Sequence, residues 1–276
     1  MTPDEYLSRV ALVRSETERV SKAWRGLSEE QWKSPTFCPG WAAENAVSHV
    51  ITGARFYINS IGRGLDGLPP EPPYGKDPKG FQTIRKKRGE ELMALPRGEM
   101  MDAFDASAAE LQKALERIGP DDLGKVGYHP RGLTRMDAWI GLRLVELVIH
   151  DWDIRSGPEP GSRVAPQGVE GMLTFIPANQ ARFFGVREKP PFEGRFRFRS
   201  TGPEREWSLT VAGEKAAESA DVSGAFDVTI SADGEAQLLL IFGRAKREEM
   251  EEAGRLAVEG DRGLADKLLD VLFTKY

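Results

Sequence analysis

The hydrophobic period of this chain changes once, near Pro190-Pro191, and that change rules out a uniform architecture. Before it, apolar residues recur at helical spacing; after it, they alternate. Tyr6, Val10, Val13, Thr17, Val20 and Trp24 follow a 4,3,4,3,4 spacing with charges between them. This predicts a helix over residues 2–25 with one face turned to a core. Beyond Pro191, Phe196-Arg197-Phe198-Arg199, Trp207-Ser208-Leu209-Thr210-Val211 and Phe226-Asp227-Val228-Thr229-Ile230 carry the period-2 signature of half-buried strands. The expected fold class is therefore α plus α+β. A helical domain with a connecting helix is expected over residues 1–190, and a smaller C-terminal α+β domain over residues 191–276.

Punctuation divides the helical part further. Residues 27–32 read as a short helical turn, and Pro35-Thr36-Phe37-Cys38-Pro39-Gly40-Trp41 breaks and restarts the chain, with Pro39 suited to an early helical position. The second long helix runs to about Ile61 and sets Ala42, Ala46, His49, Gly53 and Phe56 on one face. Residues 62–80, rich in Gly and Pro, read either as a functional lid or as an ordinary connection. Helices are expected over 81–95, 99–118 and 134–156, the last with Thr134 and Asp137 in a capping arrangement. Another, over 166–184, should bend at Pro177. Helical text returns at 234–241, and Leu256-Ala257-Val258 precedes a closing helix over 261–273.

With 276 residues, two domains can each hold a sizeable core. The formal charge is −5, and Lys and Arg are spread along the chain instead of forming a basic block. That pattern gives no electrostatic reason to expect nucleic acid or an anionic membrane. A small-molecule partner is expected, and the sequence sets no oligomeric state. No apolar run of about 18 residues is present. Residues 1–20 interleave acids where a secretory signal needs an apolar core, so a cytoplasmic location is expected. A single cysteine, Cys38, excludes an intrachain disulfide and any Cys-cluster metal site.

Candidate ligands must therefore be His and carboxylate. Glu146 and His150, four residues apart, lie one above the other on a helix face. The surrounding residues 139–154 are apolar enough to be largely buried, and a buried carboxylate needs a cationic partner. With His49 from a facing helix, they form two imidazoles and a carboxylate, suited to zinc or another divalent first-row metal with a coordination position left open. Asp153 lies on the same stripe, where it could orient His150 or bind a metal-bound water. The competing reading is a structural ion pair of Glu146 with Arg143 or Arg155. His129, in an expected loop, ranks below His49 as a ligand, and Cys38 reads as a packing residue rather than a nucleophile. The Glu-x-x-x-His order is not the His-Glu-x-x-His of zinc proteases, which disfavours peptidase activity.

Leu27-Ser28-x-x-x-Trp32, then Pro35-Thr36-x-Cys38-Pro39-Gly40-Trp41 and His49, resembles the N-terminal region of the mycothiol-dependent maleylpyruvate isomerase family. Glu146-x-x-x-His150-x-Trp152-Asp153-Ile154 is similar to its second signature. Leu239-Leu240-Ile241-Phe242-Gly243-Arg244 and Leu256-Ala257-Val258-Glu259-Gly260-Asp261 resemble the sterol-carrier-like domain that accompanies it. The resemblance implies a DinB-like four-helix bundle in which His49, Glu146 and His150 hold a divalent ion, usually zinc.

It also implies chemistry on a thiol cofactor, mycothiol or a relative, whose sulfur takes the open metal position and attacks an electrophile. A divalent ion lowers a thiol's pKa, which makes this physically reasonable. Thiolate addition to maleylpyruvate would allow bond rotation and release fumarylpyruvate; retention of the sulfur would give S-transfer. Arg244 falls in the matching Phe-Gly-Arg segment as the candidate catalytic contact to a substrate carboxylate. Arg85 and Arg88 follow the loop at 62–80 and are weaker candidates, expected as solvated surface. Two alternatives stand beside this reading: a small hydrophobic ligand-binding protein with a structural metal, and a metal-dependent hydrolase.

Overall fold

The computed structural model describes residues 2–74, 77–159 and 161–273. They divide into two compact units, Met1–Arg163 and Val164–Tyr276.

In the first unit, α1 (Pro3–Arg25) opens with a capping box between Thr2 and Glu5. It buries Tyr6, Val10, Val13, Val20 and Trp24 as the spacing predicts, with Glu16 rather than Thr17 as the remaining inward residue. The short α2 (Glu29–Lys33) is followed by α3 (Ala43–Leu65), α4 (Pro78–Met93), α5 (Arg97–Glu116) and α6 (Trp139–Ser156). Helix α1 packs on α5 and α6, and α3 packs on the same two, closing a four-helix ring with α4 laid on α3. Val20, Trp24, Val47, Ile51, Phe104 and Leu147 meet in its interior. This is the bundle that the helical periods imply.

Two local expectations are corrected. Helix α3 does not stop at Ile61 but runs through Gly62 and Gly64. A Cβ on Gly64 would lie 2.2 Å from Met136 Cε and 2.6 Å from Val126 O, so glycine here serves a close approach by the strand β1 (Val126–Gly127) and not a turn. The loop is shorter than residues 62–80 as a result, and its Gly75 and Lys76 lie outside the described residues. Thr134 does not cap a helix: it pairs with Gly127 in β2 (Thr134–Arg135), and α6 starts at Trp139 after a 3-10 turn.

The second unit holds a five-stranded sheet in the order β5-β4-β3-β6-β7, formed by β3 (Phe192–Thr201), β4 (Arg205–Gly213), β5 (Lys215–Ser219), β6 (Val228–Asp233) and β7 (Leu256–Gly260). The β3–β6 pair is parallel and the other pairs are antiparallel. Alternation buries Phe196 and Phe198 on β3 and Val228 and Ile230 on β6. Helices α7 (Pro166–Leu173), α8 (Ile176–Val186), α9 (Gly234–Ile241), α10 (Arg247–Glu252) and α11 (Arg262–Leu272) complete the unit. The expected bend at Pro177 is a full break, because Pro177 stands in the first turn of α8, where its missing N–H costs nothing. In packing, α7 and α8 belong with the sheet: α8 lies against β4 and β5, and Trp207 Nε1 donates to Gln180 Oε1 at 2.7 Å. The sequence expectation grouped these helices with the bundle up to residue 190. β5 and α10 carry no hydrophobic period and were not expected.

Candidate metal centre

His49 comes from the second turn of α3, and Glu146 and His150 from successive turns of α6. His49 Nε2 is 3.1 Å from Glu146 Oε2, and His150 Nε2 is 3.5 Å from the same oxygen. One ligand atom from each of the three lies within 4.8 Å of the others. Apart from these two imidazole nitrogens, Glu146 Oε2 is buried with no polar partner among the described residues, an acceptor that a cation would satisfy. Three donors of the N/N/O type converging on one point fit a divalent metal.

The neighbours fix these side chains. Asp153 Oδ2 accepts from His150 Nδ1 at 2.9 Å, as the stripe suggested, which leaves Nε2 facing Glu146. Tyr57 OH donates to Glu146 Oε1 at 3.4 Å. Cys38 Sγ donates to Asp153 Oδ2 at 3.3 Å, so Cys38 joins the hydrogen-bonded surroundings of His150 as well as packing. The loop that brings Cys38 there is pinned by Thr36 N to Trp41 O at 2.8 Å and by Phe37 N to Asp153 O at 2.9 Å. Its Gly40 has φ +77°, a left-handed value that favours glycine. The same loop presents the Trp41 ring to both imidazoles, 5.1 Å from His49 and 5.9 Å from His150 between centroids.

Charge is distributed unevenly over the cluster. Burial pushes the His49 pKa down, which keeps that ring neutral. Burial opposes charge on Glu146 too, yet its contacts with His49 and His150 hold it well below the usual carboxylate range. For His150, burial is outweighed by hydrogen bonds to Asp153, Cys38 and Glu146, and the pKa stands well above the ordinary imidazole value.

The competing ion pair of Glu146 with Arg143 or Arg155 is not formed among the described residues. Arg155 is bound to Asp151 at 3.1 Å. Arg143 is buried, donates to Val50 O at 3.3 Å, and has its pKa lowered to about 10 chiefly by burial. No Arg143 or Arg155 nitrogen is within ion-pair distance of Glu146 among the described residues. Arg85, expected at the surface, is half-buried: its Nη2 lies 3.5 Å from each His49 ring nitrogen. It stands beside His49 and makes no ion pair with Glu146. Arg88 does lie outside the cluster, its guanidinium 3.9 Å over the Tyr74 ring. His129 sits against Phe56 and Trp139 with Nδ1 accepting from Arg131 N at 3.1 Å, and is not among the grouped ligands. Arg244 belongs to the second unit, in the turn after α9, where Nη1 donates to Phe242 O at 2.7 Å.

Sequence reasoning missed Tyr57, although its place two turns beyond His49 on α3 was a usable signal. It used Trp41 only as part of a motif.

A four-helix ring with a His-Glu-His cluster, followed by an α+β unit, defines a two-part helix-bundle protein with a potential metal-ligating centre. Residues 13–155 match the mycothiol maleylpyruvate isomerase N-terminal domain, and the chain belongs to that family. Residues 190–273 match the SCP-2 sterol transfer family. Crystal structures of the mycothiol-dependent maleylpyruvate isomerase share the fold over 100% of both chains: one has a TM-score of 0.63 at 14% identity. That of a point mutant gives 0.64 at 15%. No curated protein matches the chain.

Proposed function

We propose that this chain is a divalent-metal-dependent enzyme that activates a low-molecular-weight thiol of the mycothiol type, for isomerisation of maleylpyruvate or for S-transfer to a small electrophile. The observation that carries the reading is the convergence of His49 Nε2 and His150 Nε2 on one buried Glu146 oxygen. His49, Glu146 and His150 would hold the metal, zinc in the first instance. When bound with a position open, such an ion lowers the pKa of a thiol and supplies a nucleophile at neutral pH.

The chain's own residues do the rest. Asp153 pairs with His150 Nδ1, which would leave Nε2 to hold the ion. The Tyr57 hydroxyl reaches the second Glu146 oxygen at 3.4 Å, a weak contact that faces the carboxylate from α3. The Trp41 ring covers both imidazoles and narrows the access of water. Arg244 is the proposed contact to a substrate carboxylate.

Metal analysis of wild-type and His150→Ala protein, followed by a thiol-conjugation screen with mycothiol and simpler thiols, tests this reading. Stoichiometric metal in the wild type only, with turnover that requires added thiol, is the expected result. Equal metal in both proteins would remove the ligand assignment, and turnover without thiol would favour a metal-dependent hydrolase. A second reading draws on the match of residues 190–273 to the sterol transfer family: the second unit binds a small hydrophobic molecule and the metal is structural. Copurified lipid with no zinc-dependent thiol conjugation would support it.

A further inference from the structure

Arg85 is held in place by neutral groups. Its guanidinium is set against α3 by Nε to Thr52 Oγ1 at 3.4 Å and Nη2 to His49 O at 3.3 Å, both neutral acceptors. No carboxylate lies within ion-pair distance of it among the described residues. Its neighbours on α4 are treated differently: Lys86 and Lys87 reach Glu90 and Glu91 one turn on, and Arg88 is stacked on Tyr74. Gly53 supports the placement, because a Cβ there would already touch Arg85 Nη2 at 3.4 Å.

The same guanidinium lines a cavity of about 470 Å³ with Trp41, Asn45, His49, Thr52 and the Lys86–Glu90 pair, which leaves Arg85 as its unpaired cation among the described residues. That volume is in the range of small-molecule sites. An unpaired cation held beside the imidazole of a candidate ligand raises the local positive potential, and a divalent ion on that imidazole would raise it further. An anion in the cavity offsets both. The planar fork of arginine matches a carboxylate in particular.

We propose that Arg85 binds a carboxylate of the small molecule that occupies the cavity beside His49, and so selects anionic over neutral electrophiles. The assignment rests on the proposed thiol chemistry for the reaction it serves, but the anion contact can be measured without turnover.

The test is calorimetric titration with succinate and with its neutral ester dimethyl succinate, neither of which accepts a thiol, on zinc-loaded and on metal-free protein. Succinate is expected to bind more tightly than the ester, and R85Q to weaken succinate by about tenfold or more without changing the ester. R85K should keep part of the binding, which guards against a folding defect in R85Q, and R88Q should match the wild type. Wild-type protein that does not distinguish acid from ester, or R85Q and R85K that bind succinate as the wild type does, would overturn the assignment. Should the wild type take up no zinc while its metal-free form shows the Arg85-dependent preference, the metal reading falls and the Arg85 contact stands.

Discussion

Asp153 Oδ2 lies 2.9 Å from His150 Nδ1, one helical turn along α6, and its carboxylate is fully buried. This contact decides which nitrogen of His150 faces Glu146, and thereby whether α6 presents a ligand or only a charged pair. Asp153→Asn should lower metal affinity by about 10- to 100-fold with the fold intact. A competition titration with a chromophoric chelator, read beside far-UV circular dichroism, checks it. Unchanged affinity would show that the imidazole is oriented by something else.

Metal uptake should strengthen with rising pH. His150 is held protonated above the ordinary imidazole value, whereas His49 is held neutral and Glu146 ionised, so at neutral pH the proton to be displaced is on His150. Affinity then rises by up to about tenfold per pH unit until the raised pKa is passed. The linkage to stability runs the other way for the metal-free protein. The raised His150 pKa stabilises the fold fully below the unfolded value of about 6.5, and this contribution is lost as pH rises through the folded value. The lowered Glu146 pKa acts oppositely, its contribution being lost only as pH falls through the folded value. Zinc titrations at several pH values measure the first effect; a flat profile from neutral to alkaline pH contradicts it.

Glu146→Gln should abolish stoichiometric metal binding, because it removes the one anionic member of the proposed ligand set while leaving shape and volume nearly unchanged. Elemental analysis of purified protein gives the answer. Tyr57→Phe is expected to cost far less, since its hydroxyl reaches the carboxylate only at 3.4 Å.

Helix α6 is anchored by charge on its other side. Arg19 binds Glu16 at 3.0 Å through Nε and Asp151 at 2.9 Å through Nη2, and both carboxylates are almost completely buried. Arg19→Met would leave Glu16 without this partner and Asp151 with Arg155, at a cost of about 3 kcal/mol or more. Urea unfolding at neutral pH measures it. A loss much under 1 kcal/mol would mean the network is hydrated in solution.

Gly157 connects the bundle to the loop beneath the site. A Cβ there would lie 2.0 Å from Pro35 O and 2.8 Å from Thr36 Cα. Gly157→Ala should therefore displace residues 35–41, which carry Cys38 and Trp41, costing about 1–3 kcal/mol and weakening metal binding together. Stability and metal titrations that moved separately would disconnect the loop from the centre.

The sequence by itself determined the long helices, the switch to strands and the stacking of Glu146 and His150 on one helix face. Each of these is written in a local period or spacing: the stripe of α1, the alternation of β3 and β6, the four-residue step in α6. Where prediction failed, a contact distant in sequence had overridden the local signal. Gly64 continues a helix because Val126 and Met136 press against it, and Thr134 pairs with a strand instead of capping α6. Glu16 replaces Thr17 inside because Arg19 and Asp151 pair there.

The tertiary structure alone decided that Cys38 would meet Asp153, that Arg85 would stand over His49, and that α7 and α8 would pack with the sheet. A period along one helix fixes which residues share its face. Which face of another element arrives opposite is set by packing between segments far apart in the chain.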